Sequence, residues 1–232
     1  MGARSARNAL LGAGRQVNRP ALARKLDAHC AALGACRLCG HTHPEVVPIL
    51  SPARAPKVML VGQAPGQVET GEGERRAFAG RAGKTMFRWL DRIGVDEATF
   101  RSRVYIAAVT RCYPGPSPSG RGDRVPSRVE QEQCNTWLEA ELRIIRPALL
   151  IPVGKLAMEK FLPPSPLDRI IGKVHVVEHV GGRSRVIPLP HPSGASSWVN
   201  APEHKKLLER ALDLIGAELE QLWGASALRR IA

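Results

Sequence analysis

A C-x2-C pair, Cys36 and Cys39, followed at long range by Cys112 and Cys134, constrains this chain more than any other feature. Four thiolates are enough for one tetrahedral metal centre, and sharing it would draw three distant segments together. Spacing alone leaves both zinc and an iron-sulfur cluster open. The four cysteines bracket Val58-Met59-Leu60-Val61-Gly62-Gln63-Ala64-Pro65-Gly66, an apolar run that ends in a glycine-rich turn. The fifth, Cys30, makes the count odd, which does not read as a secreted disulfide framework in 232 residues and points to a reducing compartment.

That length suits one large domain with its own core. Lys and Arg number 34 against 21 Asp and Glu, and the net charge of +13 points to a polyanionic partner, nucleic acid first among them. An Arg-rich genome would leave the same mark. No apolar run approaches the length of a membrane span, so a soluble protein without a membrane partner is expected. Residues 1–26 are rich in Arg and poor in acids, which suits a transit peptide, a basic arm along DNA or a solvated tail. Position 6 is alanine, so the myristoylation pattern fails.

Hydrophobic periodicity alternates along the chain. Residues 24–33 have helical spacing, and residues 57–61 read as a buried parallel strand delivering its C-terminal end to the glycine turn. Residues 83–93 place Met86, Leu90 and Ile93 on one helical face, and residues 103–109 read as the next strand. Residues 113–126, rich in Pro, Gly and Ser, form a loop. Ser127 and Glu130 make a capping box that opens a helix carrying Cys134, Trp137, Leu138 and Leu142, and Pro147 stops it. A strand over 148–153, a short helix over 155–162, strand material over 174–189 around Gly181-Gly182, and a closing helix from Pro202 complete the pattern. Strands alternating with helices predict an α/β fold, a three-layer αβα sandwich around a short, four-stranded parallel sheet. The expected division is a basic N-terminal arm over 1–28, a cysteine-braced domain over 29–224 and a tail over 225–232.

The turn Gly62-Gln63-Ala64-Pro65-Gly66 lets main chain approach a ligand closely, and Pro65 stiffens it. It is not the G-x-G-x-x-G of dinucleotide sites. Gly83-Lys84-Thr85 imitates the end of a phosphate-binding P-loop, but Phe78 stands where that motif requires glycine. An NTPase is therefore not expected.

In their order and spacing, the Cys36/Cys39 knuckle, Gly62-Gln63-Ala64-Pro65-Gly66, Phe78-Ala79-Gly80-Arg81-Ala82-Gly83, Val104-Tyr105-Ile106 running to Cys112, Cys134 on the next helix and His191-Pro192-Ser193 resemble the uracil-DNA glycosylase superfamily. The likeness is to its thermostable, iron-sulfur-containing branch, and it covers most of the chain. The resemblance implies that Cys36, Cys39, Cys112 and Cys134 hold a structural 4Fe-4S cluster, with zinc the alternative. It implies that Phe78 stacks on an extruded base, that Gly62, Gln63 and Ala64 touch the base or position water, and that His191 hydrogen-bonds the departing anion. Considered without it, Phe78 reads as core and His191 as an ordinary satisfied histidine.

Two positions depart from that branch, which usually carries glutamate at position 63 and an asparagine reading the pyrimidine edge at position 108. This chain has Gln63 and Ala108, neither able to do the same work. A related branch with a broader taste for deaminated bases also has a small residue at position 108. Glu69 is the nearest carboxylate for activating water, with an exposed loop charge its plainer reading. Trp198 corresponds to a loop that enters the duplex in relatives, or packs beneath the closing helix. Arg111, Arg121, Arg124 and Ser193 are candidate DNA contacts, with solvated loop charges the alternative for the arginines. The expected function is a monomeric, cytoplasmic glycosylase acting on the bacterial nucleoid, removing uracil from single- or double-stranded DNA. The rivals are a catalytically weak binder of damaged or abasic DNA and a zinc-braced nucleic-acid-binding protein.

Overall fold

The computed structural model describes residues 19–39, 47–53, 56–70, 75–120, 122–193, 197–224 and 228. The run Val-Met-Leu-Val becomes β1 (Val58–Gly62), buried along its whole length. A strand apolar at every position needs cover on both faces, the situation of a central parallel strand. On one side β2 (Val104–Ala108) pairs with it in parallel, from Val58 opposite Val104 to Gly62 opposite Ala108. On the other lies β3 (Leu149–Pro152), also parallel. Two further strands, β4 (His175–His179) and β5 (Gly182–Val186), form an antiparallel hairpin whose second arm pairs in parallel with β3.

The sheet therefore has five strands in the order β2-β1-β3-β5-β4, where the sequence suggested four. The four parallel strands are β2, β1, β3 and β5, and β4 is the addition. Its alternating half-buried and exposed residues mark an edge strand, and pairing across a tight turn needs no crossover helix.

Helices cover both faces. On one, α1 (Arg19–Gly34) packs against a later helix, α5 (Arg128–Ile145). Between them in the chain come α2 (Gln67–Thr70), α3 (Arg81–Asp91) and α4 (Glu97–Arg103). After β3 follow α6 (Lys155–Met158), α7 (Leu167–Ile170) and the long α8 (Pro202–Trp223). α1 begins at Arg19 and so runs across the boundary expected at residue 28. The α5 capping box forms, with Ser127 Oγ accepting from Glu130 N at 3.3 Å and Glu130 Oε2 from Ser127 N at 2.7 Å. Arg146 closes that helix in the left-handed region, just before Pro147. Among the described residues no helix is long and apolar enough to cross a membrane.

Register decides what meets at the C-terminal end of the sheet. Val109 N bonds to Gly62 O at 3.0 Å, Thr110 N to Gln63 O at 3.2 Å and Val153 N to Val61 O at 2.8 Å. Leu189 joins Val153 in a parallel bridge, two residues before His191. The glycine turn, Ala108 and His191 thus leave β1, β2 and the continuation of β5 at one rim, where open α/β sheets place ligands.

Candidate functional site

An open cleft of about 780 Å³ lies at that rim. It brings together Gly62, Gln63, Ala64, Phe78, Ala108 and His191. Glu69, Arg111, Arg124 and Ser193 also touch it, as do Arg81 and Asp123.

Phe78 is set by strain and close packing. Its φ of 59° is in the left-handed region, a conformation costing about 1–3 kcal/mol for a residue with a side chain. Arg101 holds it there, donating from Nη1 to Ala77 O at 2.8 Å and from Nη2 to Phe78 O at 3.3 Å. The ring edge lies against β1, where a β-carbon on Gly62 would stand 3.1 Å from Phe78 Cζ. The first turn of α3 presses on the same residue, since a β-carbon on Gly83 would come 1.7 Å from Phe78 O. Gly83 thus belongs to an aromatic mount and not to a phosphate loop.

His191 is oriented from behind. Ser193 N donates to Nδ1 at 3.2 Å, and Ser193 Oγ lies 2.8 Å from the same nitrogen. A nitrogen accepting from a backbone N–H carries no proton, so the neutral ring holds its hydrogen on Nε2. Burial lowers the pKa of His191 and favours this neutral form. The ring rests on Gly154, whose φ is 85° and whose missing β-carbon would stand 2.9 Å from His191 Cδ2. Ser193, expected as a DNA contact, is the partner that fixes the tautomer.

The charged candidates have other partners. Glu69 is 6% exposed and not a loop charge in solvent. It accepts from Gly66 N, and its Oε1 accepts from Gly80 N at 3.1 Å, tying the glycine turn to the start of α3. Arg111, expected on DNA phosphates, is 2% exposed and lies 3.1 Å from Glu141 inside the protein. Arg124 grips Glu130 with both terminal nitrogens, at 2.7 and 2.6 Å, and holds that carboxyl down at about 2. This clamp fixes the proline- and glycine-rich loop to the head of α5. Trp198 is absent from the cleft: it packs on the core and stacks on His204 at 4.1 Å, the second of its two expected placements. Arg121 lies outside the described residues.

The four cysteines line a second, much smaller cavity of about 20 Å³. Burial pushes Cys112 up to about 12, with Cys134, Cys39 and Cys36 adding to the shift, so the thiols sense one another. Burial likewise raises Cys134 to about 11, although its sulfur accepts from Arg111 N at 3.3 Å. Among the described residues, no three His, Cys, Asp or Glu side chains converge closely enough to grip a single ion. Cys30 is buried beside Tyr105, outside this cavity. Next to the cavity, the fully buried Glu141 accepts from Tyr105 Oη at 3.0 Å and contacts His29 Nε2 at 3.2 Å as well as Arg111. Arg111 lines both cavities.

Sequence reasoning missed Arg101, Gly154 and Asp123. Gly154 carried a usable signal, a glycine two residues past the end of β3, as Gly62 ends β1. Arg101 carried none, because its contacts with the Phe78 segment are made across 23 residues or more.

A family model described as the uracil DNA glycosylase superfamily matches residues 48–213. A type-4 uracil-DNA glycosylase of Archaeoglobus fulgidus is 33% identical over 175 residues, covering 72% of this chain and 81% of that protein. The type-4 enzyme of Thermotoga maritima is 31% identical over 137 residues, 59% of this chain and 65% of the relative. A type-5 uracil-DNA glycosylase of Pyrobaculum aerophilum is 31% identical over 116 residues, 46% of this chain and 48% of its own length. With the sheet order, the rim cleft and a family match spanning most of the chain in agreement, this protein belongs to the uracil DNA glycosylase superfamily.

Proposed function

We propose that the chain is a monofunctional DNA glycosylase that hydrolyses the N-glycosidic bond of uracil in DNA and leaves an abasic site. The observation carrying this reading is that an aromatic ring, an oriented neutral imidazole and the glycine turn line one cleft. A base inside a duplex is out of reach, so it must be extruded into such a slot. Phe78 would stack on the base, and Gly62, Gln63 and Ala64 would lie along its edge. As the glycosidic bond breaks, negative charge gathers on the pyrimidine ring while the sugar becomes cationic. His191 would donate from Nε2 to the developing oxyanion, a hydrogen bond that strengthens as the bond breaks. Ala108 offers no side-chain hydrogen bond, which supports acceptance of other deaminated bases. Arg81, exposed at the cleft, and the exposed Lys84 on α3 replace Arg111 and Arg124 as the phosphate contacts.

We read the cysteine cavity as the seat of a 4Fe-4S cluster that Cys36, Cys39, Cys112 and Cys134 would hold. Thr110 Oγ1, Arg111 Nε and Trp137 Nε1, all buried atoms of its lining residues, have no hydrogen-bond partner among the described residues. Unspent donors beside thiolates suit a sulfur-rich group that accepts from its surroundings. When bound, the cluster supplies a cross-link between the end of α1, the loop after β2 and α5, and no part of the hydrolysis. Visible absorption and iron content of anaerobically purified protein test this, and a colourless protein with stoichiometric zinc would replace the cluster.

Single-turnover base release from uracil-containing single- and double-stranded DNA tests the activity, with His191→Ala beside the unaltered protein. Rapid release that slows by about 10²–10³-fold in the variant, with DNA affinity kept, is expected. A second reading, a binder of damaged or abasic DNA with little turnover, is favoured by Gln63 and Ala108. It predicts tight binding with no release in either protein.

A further inference from the structure

We infer that Asp123 is the carboxylate that takes the proton from the attacking water, an assignment that rests on the base-excision reading of the cleft. Position 63 is glutamine, whose carboxamide takes up no proton, so the turn itself offers no base. Two carboxylates line the cleft among the described residues, Glu69 and Asp123. Glu69 is buried, with one oxygen on Gly66 N–H and the other on Gly80 N–H. Its work is to hold the loop.

Asp123 is placed differently. Its Oδ2 lies 3.0 Å from the point a β-carbon on Gly66 would occupy, so the carboxylate overhangs the same turn that carries Gln63. It is exposed to the cleft, and the hydroxyl of Tyr113 donates to it. One phenol leaves a carboxylate ample capacity to accept from water. The adjacent cation does not neutralise it, because Arg124 is spent on Glu130.

The backbone around it is built to hold position. Asp123 bridges Pro116 in a small hairpin, with Ser117 N on Gly122 O at 2.9 Å and Arg124 N on Gly115 O at 3.1 Å. The Arg124 clamp anchors that hairpin to α5. A reacting group needs this kind of support. An unneutralised carboxylate is also poorly suited to bind phosphates in a chain of net charge +13. A sugar that turns cationic in the transition state is the group it would attract.

In the step assigned, the C1′–N1 bond breaks and its electron pair leaves with the base, stabilised by His191. The water oxygen bonds to C1′, and its proton passes to the Asp123 carboxylate. Gln63, on the turn beneath, holds the water by its carboxamide.

The test is single-turnover release from uracil-containing single-stranded DNA by the full-length protein, by Asp123→Asn, and by Asp123→Asn combined with Gln63→Glu. Asn keeps an acceptor for Tyr113, so melting temperature is expected to hold while release slows about 10²-fold or more. DNA affinity is expected to stay or tighten. Returning a carboxylate at position 63 is expected to recover at least about tenfold of the lost rate, which a folding defect at position 123 would not allow. Release by Asp123→Asn at the unaltered protein's rate overturns this assignment alone. An unaltered protein that releases no base removes the base-excision reading and takes the assignment with it.

Discussion

Gly83→Ala puts the aromatic mount under direct test. The added β-carbon would stand 1.7 Å from Phe78 O and 2.4 Å from its carbonyl carbon, both backbone atoms. A carbon and a carbonyl oxygen rest at about 3.3 Å, so the segment must retreat by roughly 1.6 Å, the difference between the two. Phe78 cannot yield freely: its φ of 59° is already strained, and its carbonyl is bonded to Arg101. Crowding of this kind costs about 1–3 kcal/mol, and a displacement of about 1 Å in a reacting group costs on the order of 10²-fold in rate. Gly83→Ala is therefore expected to fold, to melt a few degrees lower and to release uracil about 10²-fold more slowly, although residue 83 touches no substrate. The decisive comparison is a double-mutant cycle with Phe78→Ala. If Gly83 acts through the ring, the double variant is no slower than Phe78→Ala alone. Multiplying rate losses, or a Gly83→Ala protein of full activity, would refute the argument that packing on α3 positions the aromatic.

Glu69→Gln replaces an acceptor of two backbone N–H groups with an amide that must turn its NH₂ toward one of them, and is expected to cost about 1–3 kcal/mol in urea unfolding. Glu141→Gln strips the buried Arg111 of its counter-charge and is expected to lower stability by about 3–5 kcal/mol; a loss below about 1 kcal/mol would mean water reaches that pair. Burial lowers His191 below its ordinary 6.5, so the ring is neutral above that pH, and release is expected to show no His191-dependent inflection between roughly pH 7 and 8.5. Because folding opposes protonation there, the His191 contribution to stability is full above 6.5 and declines as pH falls through the lowered folded value, which acid titration of unaltered protein against His191→Ala measures. Arg81→Ala is expected to weaken DNA binding equally across sequences and to reduce the salt slope by about one, read from affinity against salt concentration.

The parts of the fold visible in the sequence were those written in local pattern. The unbroken apolar run of β1 announced a central strand, and the Ser127/Glu130 box with Pro147 bounded α5 to within a residue. Much of the cleft was also legible, because the glycine turn and His191 follow strand ends that parallel register brings to one rim. What stayed hidden depends on partners far away in the chain. Nothing in the residue type distinguishes Arg111, sealed against Glu141, from Arg81, open at the cleft. Glu69 looked like a surface charge because its acceptors' partners are backbone amides, which carry no sequence signature. Asp123 was obscured by a loop whose composition signals turns and not the hairpin that holds it.

Arg111 is a lining residue of both the cysteine cavity and the cleft, and its guanidinium is sealed against Glu141 behind them. Such a party wall makes the chambers mechanically dependent. Any reagent that oxidises the thiols would let this side chain drift, and the cleft would deform while the sheet behind it remained intact. Loss of substrate recognition would then precede unfolding, so a preparation could keep its secondary structure and its solubility after its pocket had gone.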